Sequence, residues 1–450
     1  MSAADGSTYA PRGLSPELRI HGVVRPPGSK SLAIRALLAA SLAEGRSLVR
    51  GVPASEDVAA CVGVLEACGR IAGRPASDTI EVLGRAPAAD IGWGAVVPLD
   101  CGESGTLARL VTAVAGLCGA PGAPQRIEVR GTLLSRDSAP LFDALASVGV
   151  RIERDAGKRD GWPLILTPAA PPETVMLNTP VSSQELSGLL LALAALPAGP
   201  RGRSALVLGG LPSEPYARMT ASVLEAFGAR FGAAGSEWRV AGPLVAPEAG
   251  FEVEPDASAA AVVLAAGCLS GGTVRVQGFQ ERSTQGDVAI VEHLAAFGCE
   301  AAREGDALVA CGFPSRAAEL DLEDTPDLAP VLAAVAGAYA LRTGGGAGTT
   351  TLTGLETLNG KESRRVEVLA EGLRALGVEV EGDDDELEIG PGPAPGSESL
   401  ALDAHGDHRM AFAFALLGLV RPGLSVADPG CVAKSWPSFW DDLAAAATKR

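Results

Sequence analysis

The chain has 450 residues, 47% of them hydrophobic, which is enough for two or more domains with apolar cores of their own. A formal net charge of −17 works against nonspecific attachment to nucleic acid or to anionic membrane surfaces. The apolar runs at 187–199 and 329–341 fall short of the about 20 residues a bilayer span needs, and the polar start lacks a signal-type pattern, so a cytoplasmic protein without membrane contact is expected.

Residues 1–15 are polar and turn-rich and read as a disordered leader; Leu18 to Val24 then alternates like a strand. Pro27-Gly28-Ser29-Lys30-Ser31 hands the chain to an Ala- and Leu-rich helix that carries Arg35 and stops at Gly45. The first N–H groups of a helix lack intrahelical partners and sit at the positive end of its dipole, so Ser29, Lys30, Ser31 and Arg35 are expected to face a phosphate or carboxylate. The same arrangement returns at Ser104-Gly105-Thr106, Ser182-Ser183-Gln184, Asp256-Ala257-Ser258, Asp324-Thr325-Pro326-Asp327 and Asp407-His408-Arg409-Met410, each followed by an apolar run ending at a glycine. These starts recur at intervals of roughly 70 to 81 residues, too long for common solenoid repeats, and imply six compact βαβ-type modules. Amphipathic helices closed by Gly69, Gly149, Gly228, Gly298 and Gly377 mark the same units independently. The Gly242–Gly250 linker lies near the middle and is taken as the boundary between two sets of three modules. Gly344 to Gly348 is read as a flexible turn and Gly382 to Glu386 as a solvated acidic loop.

Eight cysteines without a CxxC pair and four histidines without ligand spacing predict reduced core thiols and no structural zinc. Cations are scarce, yet Lys30, Arg35, Arg109, Arg136, Lys361, Arg365, Arg409 and Lys434 lie at turns or helix starts. If the modules face one another, these tips converge on a cleft suited to one or two small ligands bearing several negative charges. Gly28-Ser29-Lys30-Ser31 lacks the GxxxxGK[ST] spacing of a nucleotide loop. Taken singly the residues have plainer readings: Asp327 as a helix cap, Glu362 and Arg365 as a pair on one helix face, and His408 as a satisfied polar core residue.

Five stretches in register alter those readings. Pro27 to Ser31 with Arg35, Ser182-Ser183-Gln184, Lys361-Glu362-Ser363 with Arg365, Asp407-His408-Arg409-Met410, and Asp428-Pro429 with Cys431 to Pro437 resemble the 5-enolpyruvylshikimate-3-phosphate synthases, over about residues 18–443. The resemblance implies an α/β (α+β) fold: a two-domain, inside-out α/β barrel-like architecture with three βαβαββ modules per domain and a central interdomain cleft. Residues 28–252 would form the N-terminal domain, and 16–27 with 253–450 the C-terminal one. The implied reaction moves the enolpyruvyl group of phosphoenolpyruvate to the 5-hydroxyl of 3-phosphoshikimate with release of phosphate, in a cytoplasmic monomer that needs no cofactor and no metal.

Carried over by position, the 3-phosphoshikimate site comprises Lys30, Ser31, Arg35, Ser182, Ser183, Gln184, Ser213, Tyr216, Asp327 and Lys361, and the phosphoenolpyruvate site Lys30, Gly105, Arg136, Gln184, Arg365, Arg409 and Lys434. Asp327 and Glu362 are the implied acid and base, with Lys30 sharing proton transfers and His408 behind them. Glu103, Leu110, Asp137 and Arg364 depart from the family pattern without removing a main charged ligand. Two rival readings remain. A UDP-N-acetylglucosamine enolpyruvyltransferase would share the architecture but normally carries a cysteine in the loop near Arg136, and Gly131 to Asp137 has none. An anion-binding paralogue without turnover would not need paired carboxylates among its cations.

Overall fold

Serine- and aspartate-tipped runs rich in Ala and Leu have no polar face to turn to water, and in the computed structural model they form helices buried almost all round. The structure describes residues 10–84, 97–154, 161–170, 172–197, 202–346 and 348–449. Backbone contacts divide them into an N-terminal unit, Pro27–Glu254, and a C-terminal unit made of residues 10–26 with 255–449.

The N-terminal unit holds helices α1 (Lys30–Leu42), α2 (Glu56–Ala67), α3 (Gly105–Cys118), α4 (Ala139–Ser147), α5 (Ser183–Ala195) and α6 (Glu214–Ala226). Its three sheets have four strands each, one pair parallel and a hairpin completing the sheet antiparallel; in the second and third sheets the parallel pair flanks the buried helix. In the middle sheet Leu99–Asp100 pairs with Gln125–Glu128 across α3, and after α4 the hairpin Arg151–Arg154/Leu164–Thr167 follows. The last sheet runs Thr174–Asn178, Arg203–Leu208, Glu237–Ala241, Arg230–Ala234. The first borrows its outer strand, Phe251–Glu252, from the end of the unit. Helices α1, α3 and α5 form the centre of one apolar core. Gly188 lets α5 approach α3 closely, since a Cβ there would lie 2.9 Å from the Arg109 carbonyl oxygen.

The C-terminal unit repeats the plan with α7 (Ala257–Ser270), α8 (Ile290–Ala296), α9 (Ala329–Thr343), α10 (Arg365–Ala375), α11 (His408–Gly418) and α12 (Phe439–Ala445). Gly22–Val23, Thr273–Gln277, Ala307–Cys311 and Glu300–Glu304 form one four-stranded sheet; Glu319–Asp321, Thr350–Thr353, Leu387–Ile389 and Val380–Gly382 form another. The third module keeps only the parallel pair Leu400–Leu402/Leu424–Val426. Its core centres on α7, α9 and α11.

Two expectations change. The strand expected over 18–24 breaks at His21: Leu18–Ile20 pairs antiparallel with Ala447–Lys449, and Gly22–Val23 joins the first C-terminal sheet. Of the expected leader, residues 1–9 lie outside the described residues, but residues 10–15 are packed. Arg12 bridges to Val426 and bonds Asp441 at 3.2 Å, and Leu14 is buried in the C-terminal core, an apolar anchor that a polar-looking segment concealed. Gly199 and Ala347, parts of an expected helix end and turn, lie outside the described residues. Among the described residues no helix is long and apolar enough to cross a membrane.

Candidate active site

Within the N-terminal unit, helix starts carry the polar groups because serines cap them. Ser29 accepts the N–H of Leu32, Ser104 that of Leu107, and Ser182 that of Gln184. Ser29 is therefore spent on its own helix and buried, leaving Lys30 and Ser31 partly exposed at the α1 tip. Lys30 Nζ lies 3.1 Å from Asp57 Oδ2, a carboxylate that the first turn of α2 supplies.

Gln184 is fixed at both ends: its Oε1 accepts from Arg109 Nη1 at 2.8 Å and its Nε2 donates to Thr106 Oγ1 at 2.9 Å. Arg109 also donates to Ser138 Oγ and the Asp137 carbonyl, so the starts of α3 and α5 are stitched together. Gly105 lies close beneath two cations: a Cβ there would come within 3.1 Å of the Arg136 guanidinium and 3.3 Å of that of Arg109. Arg136 Nη2 donates to Thr132 Oγ1 at 3.2 Å. Glu103, exposed, lies over Gly131, where any Cβ would meet its carboxylate.

Arg35 has no exposed surface and donates to Thr220 Oγ1 (2.7 Å), the Ser31 carbonyl (2.9 Å) and Ser187 Oγ (3.4 Å), so it braces α1 against α5 and α6. Burial pulls its pKa down to about 10, with Tyr216 opposing. Arg109 is likewise brought to about 10 by burial, against the pull of Glu185. Ser213 caps α6 from left-handed backbone (φ 53°), and its carbonyl accepts the N–H of Tyr216, placing both residues at one helix start. Ser183 is buried behind Ser182 at the α5 tip.

In the C-terminal unit, the helix starts and neighbouring turns build a network of ion pairs. Asp327, in the turn before α9, accepts from Arg409 Nη2 (2.8 Å) and Arg365 Nη1 (3.1 Å), with Lys361 Nζ 3.9 Å away. It is not a helix cap. Arg409 also donates to the Asp327 carbonyl and to Ser258 Oγ at the start of α7. Arg365, its side chain 2% exposed, is held by Asp407 at 2.8 and 3.3 Å. It too is buried, locked between the carboxylates of Asp407 and Asp327. Asp407 caps α11 through the Arg409 N–H and accepts from Ser363 Oγ.

Glu362 does not pair with Arg365 along the helix. Its Oε2 meets His408 Nδ1 at 2.9 Å and its Oε1 meets Lys434 Nζ at 3.5 Å. Burial pushes its carboxyl up, but His408, Lys434 and Arg365 together hold it well below the ordinary carboxylate range. Asp407 is buried as well, and Arg365 and His408 keep it lowered despite Glu362. Arg365 is raised because its three carboxylate neighbours outweigh its burial. Glu362, Asp407 and His408 form a group whose ligand atoms lie within 4.8 Å of one another, close enough for a metal ion. The carboxylates already face Arg365, Lys434 and His408, so a metal ion would have to displace a cation there.

A family model for EPSP synthase (3-phosphoshikimate 1-carboxyvinyltransferase) matches residues 14–443. The chain belongs to this family. It is 36% identical to the 3-phosphoshikimate 1-carboxyvinyltransferase of Laribacter hongkongensis strain HLHK9, over 96% of this chain and 98% of the relative. It is 35% identical to that of Halobacterium salinarum strain R1, over 95% and 96%. Its fold is shared with a solved EPSP synthase from Acinetobacter baumannii (TM-score 0.76, 23% identity, 96% of this chain and 97% of the other). NikO, an enolpyruvyl transferase from Streptomyces tendae, shares it as well (TM-score 0.69, 20% identity, 96% and 97%). The two-domain α/β reading and the EPSP synthase resemblance thus hold.

The residues that motif reading did not place are Asp57, Asp407 as the partner of Arg365, Glu185, and Asp287, which bonds Ser258 Oγ. Asp57 had a local signal, the Ser55 cap of α2 with acids in its first turn. Asp407 had one too, as a capping aspartate; its pairing with Arg365, 42 positions away, did not.

Proposed function

We propose that this EPSP synthase family member transfers the enolpyruvyl group of phosphoenolpyruvate to the 5-hydroxyl of 3-phosphoshikimate, giving 5-enolpyruvylshikimate 3-phosphate and phosphate, a step towards chorismate and the aromatic amino acids. The observation that carries the chemical reading is the pair of carboxylates set among cations: Asp327 between Arg409, Arg365 and Lys361, and Glu362 between His408 and Lys434. Addition followed by elimination needs a proton delivered to the methylene carbon, a proton removed from the attacking hydroxyl, stabilisation of a cationic carbon and then a tetrahedral ketal, and finally a proton taken back from the new methyl group as the C–O bond to phosphate breaks.

Asp327, partly exposed and anionic among its cations, takes the hydroxyl proton in this reading. Lys30 supplies the proton to the methylene carbon and, left neutral, takes one back from the methyl group as phosphate departs, which restores the double bond and the ammonium. Glu362, kept ionised by its neighbours, steadies the positive charge that develops at the adjacent carbon. Ser31, Ser182, Ser183, Gln184, Ser213, Tyr216 and Lys361 take the phosphate and hydroxyls of 3-phosphoshikimate. Gly105, Arg136, Gln184, Arg409 and Lys434 take the carboxylate and phosphate of phosphoenolpyruvate, where guanidinium forks suit planar or bidentate anions. Arg35 and Arg365 serve from inside, by fixing the helix starts that carry these groups. We read the enzyme as a monomer working in the cytoplasm without a cofactor; light scattering and fractionation test the first two points.

The deciding experiment is phosphate release from phosphoenolpyruvate. Turnover is expected with 3-phosphoshikimate and not with UDP-N-acetylglucosamine; activity with the sugar nucleotide alone, or binding without release, overturns the reading.

A further inference from the structure

Immediately behind the Ser182-Ser183-Gln184 tip lies a carboxyl group that the proposed reaction does not use. Glu185, in the first turn of α5, has no exposed surface. Its Oε2 accepts the backbone N–H of Val181 at 3.0 Å, reaching back over the helix start as the acid of a capping box does. Its Oε1 is buried and without a hydrogen-bond partner. The charged groups that bear on it are Arg109 from α3, which also holds the Gln184 side chain, and Asp137 from the segment before α4. Arg35 of α1 reaches α5 further along, at Ser187.

We infer that Glu185 is a positioning residue whose ionised carboxylate clamps the backbone at Val181 and Ser182, and balances Arg109, so that Ser183 and Gln184 are held ready for the anionic acceptor substrate. The inference rests on the reading of that tip as part of the 3-phosphoshikimate site. The clamp is strongest when Glu185 is charged, because a carboxylate accepts an N–H about twice as strongly as a neutral group does. Burial pushes its carboxyl up to about 7, against the pull of Arg109 and of the Val181 and Ser182 N–H groups, so the clamp loosens as the solution is acidified through neutrality.

Two measurements separate this inference from the reading beneath it. In the ligand-free protein, the amide nitrogen shift of Val181 is expected to titrate with a midpoint near pH 7 and to lose that step in Glu185→Gln; a Val181 shift that is flat in the wild-type protein overturns the inference whatever the substrate. In steady-state kinetics, the ratio of KM for 3-phosphoshikimate, Glu185→Gln over wild type, is expected to be about tenfold at pH 8 and to approach one by pH 6, where both side chains are neutral, with kcat changed much less. Comparing the two proteins at each pH cancels the titration of the substrate phosphate. A ratio below one at pH 8 means that the carboxylate merely repels the anion, and overturns the inference. A normal Val181 titration in a protein that does not bind 3-phosphoshikimate overturns the substrate reading instead, and with it the role given to the clamp.

Discussion

In the N-terminal unit the fully buried Arg35 is bonded to two hydroxyls and a carbonyl, and Arg109 to a hydroxyl, an amide oxygen and a carbonyl; in the C-terminal unit Arg365 lies between Asp407 and Asp327. One residue type at similar depth thus has opposite shifts, down to about 10 for the first two and upward for the third. Neutral partners satisfy the guanidinium N–H groups without cancelling the charge, as at Arg35, whereas at Arg109 the nearby carboxylates of Glu185 and Asp137 offset part of it without bonding to it directly. Carboxylate partners cancel the charge and fix position, which suits groups that must move protons without drifting. The lesson is that a buried arginine's partners, more than its burial, decide how much of its charge is cancelled.

The largest expected effects fall on turnover, and one variant in each unit tests that both matter. Arg409→Ala frees Asp327 of its shortest cationic contact, and Lys30→Met removes the proposed proton donor; each is expected to lower kcat by roughly 100-fold or more in protein that still unfolds cooperatively. Near-normal kcat in either, by phosphate release, would show that its unit has no part in the chemistry.

The next largest effect is on stability and compares the two kinds of arginine. Asp407→Ala leaves the buried Arg365 with Asp327 alone and also uncaps α11, and is expected to cost about 3–5 kcal/mol in urea unfolding. Thr220→Ala leaves one Arg35 donor unsatisfied in a neutral setting and should cost about 1–3 kcal/mol. Equal losses would erase the contrast drawn above.

The pH dependence has opposite signs for the two settings. Glu362 and Asp407 have folded-state pKa values below their unfolded ones, so the stability they add is present above about pH 4.5 and is lost as pH falls through the folded values. Glu185 is raised, so between the unfolded value and about 7 the folded state holds the extra proton and stability declines as pH rises. Asp287 beside Ser258 in the C-terminal unit shares that second sign, raised to about 7 by burial and by Asp327. Melting curves of Glu362→Gln should therefore flatten the acid limb, and those of Glu185→Gln the decline towards neutral pH. A Glu362→Gln acid limb as steep as that of the wild-type protein would exclude Glu362 as its source.

Those contrasts also explain what could be read from the chain itself. Caps and glycine stops are local signals, so the helix starts at Ser29, Ser104, Ser182, Asp256 and Asp407 were legible, and with them the repeated plan. Arg35 was legible as a cation near a helix start; its interior partners follow from the run from Leu32 to Leu42, which has no polar face, so that a charge in it must find partners inside. The partners of Arg365 were not legible: Glu362, three residues earlier, offered a local partner, whereas the partners it has come from α11 and from the turn before α9. Pairings of that kind are fixed by packing, which no spacing in the sequence encodes.

The smallest expected change in stability concerns Gly105, and it separates binding from folding at the α3 tip. Gly105 is the first residue of α3, where alanine suits the helix better by up to about 1 kcal/mol. The atoms a methyl group would meet first are the guanidinium ends of Arg136 and Arg109, at 3.1 and 3.3 Å, which can swing aside by a few tenths of an ångström. Gly105→Ala should therefore melt within about 1 kcal/mol of the wild-type protein. The displaced guanidinium is the one assigned to phosphoenolpyruvate, and weakening one charge-assisted bond raises its KM by roughly tenfold. KM for 3-phosphoshikimate should move much less, because Ser182 and Ser183 stand on α5 and the methyl group points at the arginines. An equal rise in both KM values would mean that the Arg109 link to Gln184 carries the disturbance into α5, making the two helix starts a single binding element.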